Sequence, residues 1–182
     1  MLADASGHPA GTADKASVHT SETPLHFAFS AYLVDSRGRV LLTRRALGKV
    51  AWPGVWTNSF CGHPGPGEST PDAIRRRAGQ ELGIDPADLT EVREVLADFA
   101  YRATDSSGIV ENEICPVYLV ALRDGAPLAP HPDEVDSFFW LDADNLLAAV
   151  DAAPPAFSPW LVEELADDRL RTALTELATL TT

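Results

Sequence analysis

Residues 58–84, NSFCGHPGPGESTPDAIRRRAGQELGI, constrain the fold more tightly than any other stretch of the chain. A loop rich in glycine and proline runs into a helix marked at both ends. Ser69 or Thr70 can cap it, Pro71 suits the first helical position, Asp72 complements the dipole, and Gly83 stops the run after Leu82. A helix that offers carboxylates at neighbouring positions and one turn apart can hold Mg²⁺ against a pyrophosphate, because that ion takes hard oxygen ligands. Here the stretch offers Glu81 and Glu68, with Arg77 and Gln80 close by on the helix. Arg77 adds a cation, which favours gripping phosphate oxygens. Gly79 costs the helix up to about 1 kcal/mol relative to Ala.

Around this unit the pattern predicts one α+β domain. His26 to Asp35 is rich in β-formers, SRGR turns the chain, and Val40 to Ala46 returns to make a hairpin. WTNSFCG reads as a short strand. VREVLADFAYRATD and IVENEICPVYLVAL read as an antiparallel pair about a DSSG turn, and SFFWLD as a further strand. Asp142 can cap a helix over ADNLLAAV, and Ser158-Pro159 opens an amphipathic helix to about Leu177. The order suggests a mixed sheet with helices on both faces. Residues 1–18 are small, polar and punctuated by glycine and proline, which predicts a flexible leader, with the single domain spanning 19–182.

The formal charge of −13 argues against a nucleic-acid surface, yet eight of the fourteen Lys and Arg fall between Arg37 and Arg77. A local pocket for a small anion fits that distribution. No run of apolar residues is long enough for a membrane span, and no secretory pattern opens the chain, so a cytoplasmic protein is the expectation. Of the two cysteines, Cys115 sits in ICPVYLV and reads as a core thiol. Cys61 stands at the polar, glycine-flanked entrance to the helix, where nucleophile, proton carrier and small buried residue are all open readings. Glu111 and Glu113 lie two apart on a strand and so share a face, where two like charges need a cation or a shared proton. With His19, His26 and His63 they would make a donor set suited to Zn²⁺ or Mn²⁺.

The spacing Gly62, Glu68, Arg76, Glu81, Gly83-Ile84 resembles the Nudix box, with Arg77 and Gln80 where that family carries glutamates. Four separated stretches, LHFAFSAYL, LLTRRALGKVAWPGVWTNSFCGHPGPGES, FAYRATDSSGIVENEICPVY and AFSPW, further resemble the type I isopentenyl diphosphate isomerases. That resemblance implies a Nudix-like α/β/α sandwich and interconversion of isopentenyl and dimethylallyl diphosphates. It assigns Cys61 and Glu113 to proton transfer on opposite faces of the substrate and Tyr101 to support of Glu113. His19, His26, His63, Glu111 and Glu113 would form one Zn²⁺ or Mn²⁺ site, and Glu81 would share Mg²⁺ with the diphosphate. Lys15, Arg45, Lys49 and Arg77 would hold the diphosphate, Trp160 would lie against the hydrocarbon, and the protein would act as a monomer or weak dimer. Val50 departs from the pattern, standing where a further basic residue is sometimes found. The rival reading is a Nudix pyrophosphohydrolase of a nucleoside diphosphate derivative, against which Arg77 and Gln80 count; a third is a module that binds metal or diphosphate without turnover.

Overall fold

In the computed structural model, which describes residues 1–13 and 18–179, twelve strands form two sheets. The strands are β1 (Leu2–Ala3), β2 (Pro9–Gly11), β3 (His26–Phe27), β4 (Phe29–Val34), β5 (Arg39–Arg45), β6 (Trp56–Thr57), β7 (Phe60–Gly62), β8 (Leu89–Leu96), β9 (Ala100–Thr104), β10 (Val110–Ile114), β11 (Val117–Leu122) and β12 (Val135–Asp142). The helices are α1 (Thr70–Leu82), α2 (Ala143–Ala152), α3 (Pro159–Glu164) and α4 (Asp168–Thr179).

The larger sheet runs β12-β5-β4-β11-β8, with β6 on β5 and β7 on β4; the smaller runs β2-β1-β3-β10-β9. β4 is buried along its whole length, and its alternation splits the core into two layers. Phe29, Ala31 and Leu33 pack with Ala73, Ile74, Ala78 and Leu82 of α1. Tyr32 and Val34 pack with Leu146, Leu161, Leu165 and Leu170 of the other helices. The predicted mixed sheet with helices on both faces is therefore present. One parallel pair joins the sheets: β3 beside β10 continues into β4 beside β11, with Ala28 N–H donating to Ile114 O at 2.9 Å and Ser30 N–H to Pro116 O at 3.1 Å.

The loop-helix forms as its end signals predict. Ser69 caps α1 by accepting from Asp72 N–H at 3.3 Å. Gly83 takes φ 65°, a left-handed conformation that glycine adopts without strain, and Ile84 N–H returns to Ala78 O at 3.3 Å.

Three expectations need correction. Residues read as a leader form the β1–β2 hairpin: Asp4 Oδ1 accepts from Ser6 and His8 N–H at 2.8 and 2.9 Å, and Leu2 then pairs with His26. The two long strand candidates each divide, at Ala97–Phe99 and at Cys115–Pro116, so their ends serve different sheets. The last helix breaks after Glu164, where Asp167 accepts from Arg169 N–H at 2.8 Å and starts α4 afresh.

Candidate active site

Where the two sheets meet, His26 on β3, Glu111 and Glu113 on β10, His63 just after β7 and His19 in the loop before β3 bring three imidazoles and two carboxylates together. Ligand atoms of His19, His26, His63 and Glu113 all lie within 4.8 Å of one another. Nε2 of His26 and Nε2 of His63 stand 3.2 Å apart, and Glu113 Oε1 lies 3.2 and 3.0 Å from them. The parallel register of β3 and β10, which sets His26 opposite Glu113, creates this contact. His26 Nδ1 sits 2.9 Å from Pro24 O, which suits a proton on Nδ1 and a lone pair on Nε2 aimed inward.

Glu111 joins through His19: its Oε2 is 3.0 Å from His19 Nε2, yet both atoms are enclosed and neither completes a hydrogen bond. Each buried orphan costs about 1–3 kcal/mol, which a bound ion would remove. The donor set thus fits a divalent transition ion on its own geometry. Burial would raise the Glu113 carboxyl, but hydrogen bonds with His26 and His63 win and hold it below the usual range.

A cavity of about 220 Å³ opens beside this cluster, lined by Cys61, Tyr101, Glu113 and Trp160 at one end and Arg45, Lys49, Arg77, Glu81 and Glu134 at the other. Tyr101 is the direct cross-strand partner of Glu113 on β9, so both side chains share a face. Trp160 is 3 % exposed, with Tyr101 and Trp52 ring centroids at 5.8 and 5.5 Å.

Cys61 and Trp160 are held by one residue that the sequence reading passed over. Asn58 is fully buried; its Nδ2 donates to Ser30 Oγ at 2.8 Å and Cys61 Sγ at 3.2 Å. Its Oδ1 accepts from Thr57 Oγ1 at 2.7 Å and Trp160 Nε1 at 3.0 Å. Burial pushes the Cys61 thiol well up, Glu164 adds to the rise, and Asn58 opposes it. Glu164 itself lies completely buried beneath this end, with Tyr32 O–H donating to it at 2.6 Å and its other oxygen unpartnered; burial raises it to about 8.

Further along the cavity two cations, Lys49 and Arg77, meet two carboxylates, Glu81 and Glu134. Arg77 pairs with Glu81 through Nε at 3.0 Å and through Nη2, and reaches Glu134 at 3.3 Å. Lys49 pairs with Glu134. Arg45 donates to Ala51 O at 2.8 Å and lies over the Trp160 ring at 5.5 Å, so one face of that indole is already covered. Burial raises the Glu81 carboxyl despite Arg77. Lys15 lies outside the described residues.

The remaining box residues act as a frame. Glu68 takes two hydrogen bonds from Arg76, at 2.7 and 2.8 Å, and one from Gly65 N–H at 2.8 Å, which lowers its carboxyl to about 2. Arg76 in turn donates to the backbone oxygen of His63 at 3.2 Å. Gly62 is required by closeness: a Cβ there would stand 2.7 Å from Arg77 Cγ and 2.9 Å from Phe29 Cζ.

Beyond Asn58, the sequence reading missed Glu164 and Glu134. No local pattern marks Glu134, since in its segment, HPDEVD, it is one of three acidic residues in six. Asn58 could have been flagged as a short polar residue inside an otherwise strand-like run.

Comparison with known proteins agrees with this geometry. The Nudix domain model matches residues 24–161. An isopentenyl-diphosphate Delta-isomerase of Corynebacterium glutamicum is 56% identical over 176 residues, covering 97% of this chain and 93% of that one. One from Agromyces mediolanus is 59% identical over 162 residues, covering 89% and 76%. Among solved structures, a Deinococcus radiodurans protein superposes with a TM-score of 0.68 at 22% identity over 91% of this chain and 95% of its own, which speaks to the fold. Family model, near full-length relatives and fold agree: the chain belongs to the Nudix family and, within it, to the isopentenyl-diphosphate Delta-isomerases.

Proposed function

We propose that this enzyme interconverts isopentenyl diphosphate and dimethylallyl diphosphate by moving a proton across the allyl system. The observation that carries the reading is that Cys61 and Glu113, two groups able to exchange protons, line one cavity whose far end gathers Arg45, Lys49 and Arg77. A proton added to the terminal alkene carbon leaves a tertiary cation; removal of a proton from the neighbouring methylene restores a double bond, and the protons balance. Cys61 and Glu113 take these two roles, and Tyr101 positions Glu113 across the β9–β10 ladder. Trp160 and Tyr101 wall the hydrocarbon end, excluding water and turning π-faces towards positive charge.

Lys49 and Arg77, with Arg45 and with Lys15 as a further candidate, hold the diphosphate, whose binding energy is gained away from the reacting carbons. His19, His26, His63, Glu111 and Glu113 would hold Zn²⁺ or Mn²⁺, and Glu81 would hold Mg²⁺. Bound, these ions supply positive charge that sets the proton affinity of Glu113 and neutralises the diphosphate. The described lining comes from a single chain, which supports action as a monomer or weak dimer. Two free thiols suit the reducing cytoplasm. No described helix is long and apolar enough to cross a membrane.

The test is conversion of isopentenyl diphosphate by the metal-loaded protein, followed by product analysis. Cys61→Ala and Glu113→Gln should each slow turnover on the order of a thousandfold, with metal content measured alongside because Glu113 serves both sites. Release of phosphate in place of the dimethylallyl product, or full activity in Cys61→Ala, would overturn the reading.

A further inference from the structure

Glu134 belongs to no motif, yet it lines the cavity and pairs there with both Lys49 and Arg77. Its backbone is pinned on both sides: its N–H donates to His131 O at 2.9 Å, and its carbonyl accepts from Ala46 N–H at 3.0 Å, on the loop that carries Lys49. Its side chain is about one-fifth exposed. One carboxylate oxygen pairs with Lys49 Nζ and the other lies 3.3 Å from Arg77 Nη2. Glu81 takes the same Arg77 group from its other side. Two carboxylates therefore face each other with a guanidinium between them.

An incoming diphosphate competes for the same two cations. If it draws Lys49 and Arg77 to its own oxygens, Glu81 and Glu134 lose their partners and stand beside each other and beside the new anion. Like charges in a half-buried site are costly, and no other cation in the described lining is free of a carbonyl or carboxylate to replace the lost ones. A divalent ion lying against both carboxylates and the diphosphate restores balance with hard oxygen ligands. We propose that Glu134 exchanges partners on substrate binding, pairing with Lys49 and Arg77 when the cavity is empty and becoming a second protein carboxylate, with Glu81, for the diphosphate-bound divalent ion. This rests on the diphosphate subsite proposed above. Glu134 is on this account a binding and positioning residue, remote from the reacting carbons.

Calorimetry with inorganic pyrophosphate tests it, using protein already loaded at its histidine site and freed of excess metal, with and without Mg²⁺. Wild-type protein should bind pyrophosphate at least about tenfold more tightly with Mg²⁺. In Glu134→Gln the two conditions should move in opposite directions. Metal-free pyrophosphate should bind several-fold more tightly, because Lys49 and Arg77 are released, while most of the Mg²⁺ enhancement disappears. Glu134→Asp, which keeps the charge, should recover part of that enhancement, and melting curves confirm that each variant is folded. A parallel loss in both conditions, or no change in either, overturns the proposal and leaves the diphosphate subsite standing. Failure of the wild type to bind pyrophosphate even with Mg²⁺ overturns both.

Discussion

Replacing Gly62 by Ala puts the packing around the box to a direct test. The added methyl would meet Arg77 Cγ at 2.7 Å and the Phe29 ring at 2.9 and 3.0 Å, separations that real Cβ contacts do not show. Phe29 cannot withdraw: it is fully buried and its ring meets Phe60 edge to face at 6.0 Å. Arg77 must yield, and its pairings with Glu81 and Glu134 go with it. Overpacking of this kind costs about 1–3 kcal/mol. At about 2–4 °C per kcal/mol for a chain of this size, the melting temperature should fall by roughly 2–12 °C. Because Arg77 lies at the end of the cavity proposed to hold the diphosphate, KM should rise by more than kcat falls. Gly48→Ala is the control: its Cβ would meet nothing within 4 Å and its φ is not left-handed, so the shift should stay below about 0.5 kcal/mol. Thermal unfolding by circular dichroism reads both. If Gly62→Ala melts with Gly48→Ala, the close approach does not govern this site.

Asn58→Ala should leave the Trp160 indole N–H buried without an acceptor, costing about 1–3 kcal/mol in urea unfolding, and should lower kcat more than it raises KM because the loosened groups face the hydrocarbon. Equal and small effects on both constants would refute its role as the shared support of Cys61 and Trp160. Glu164 predicts a pH dependence of stability. Its folded carboxyl, raised to about 8 from an ordinary 4.5, keeps a proton that the unfolded chain has released. Stability should therefore decline as pH rises through that window and level off above it, and Glu164→Gln should remove this part of the slope. Identical slopes in the two proteins would show that Glu164 is ionised while folded.

The sequence spelled out α1 because its signals are local: Ser69, Pro71 and Gly83 act on their own neighbours whatever lies around them. The shared face of Glu111 and Glu113 was legible for the same reason, since alternation needs no partner. Cys61 drew attention by its polar, glycine-flanked setting, whereas Tyr101 and Trp160 came to notice through resemblance; nothing in their spacing shows that β7, β9 and α3 line one cavity. The β1–β2 hairpin was read as loose chain because Leu2 finds its partner only at His26, on a strand that is itself two residues long. Glu134 was invisible because its meaning depends on Arg77, more than fifty positions away, reaching the same point in space.

The Glu68–Arg76 pair carries a wider consequence. It ties the loop at Gly65 and at the His63 carbonyl without calling on the side chain at position 77, while Arg76 also donates to Gln80 Oε1 at 3.1 Å. A turn secured in that way keeps its shape whichever charge occupies position 77. Substitution at position 77 can therefore change the charge facing the cavity while an imidazole is still presented at the same spot.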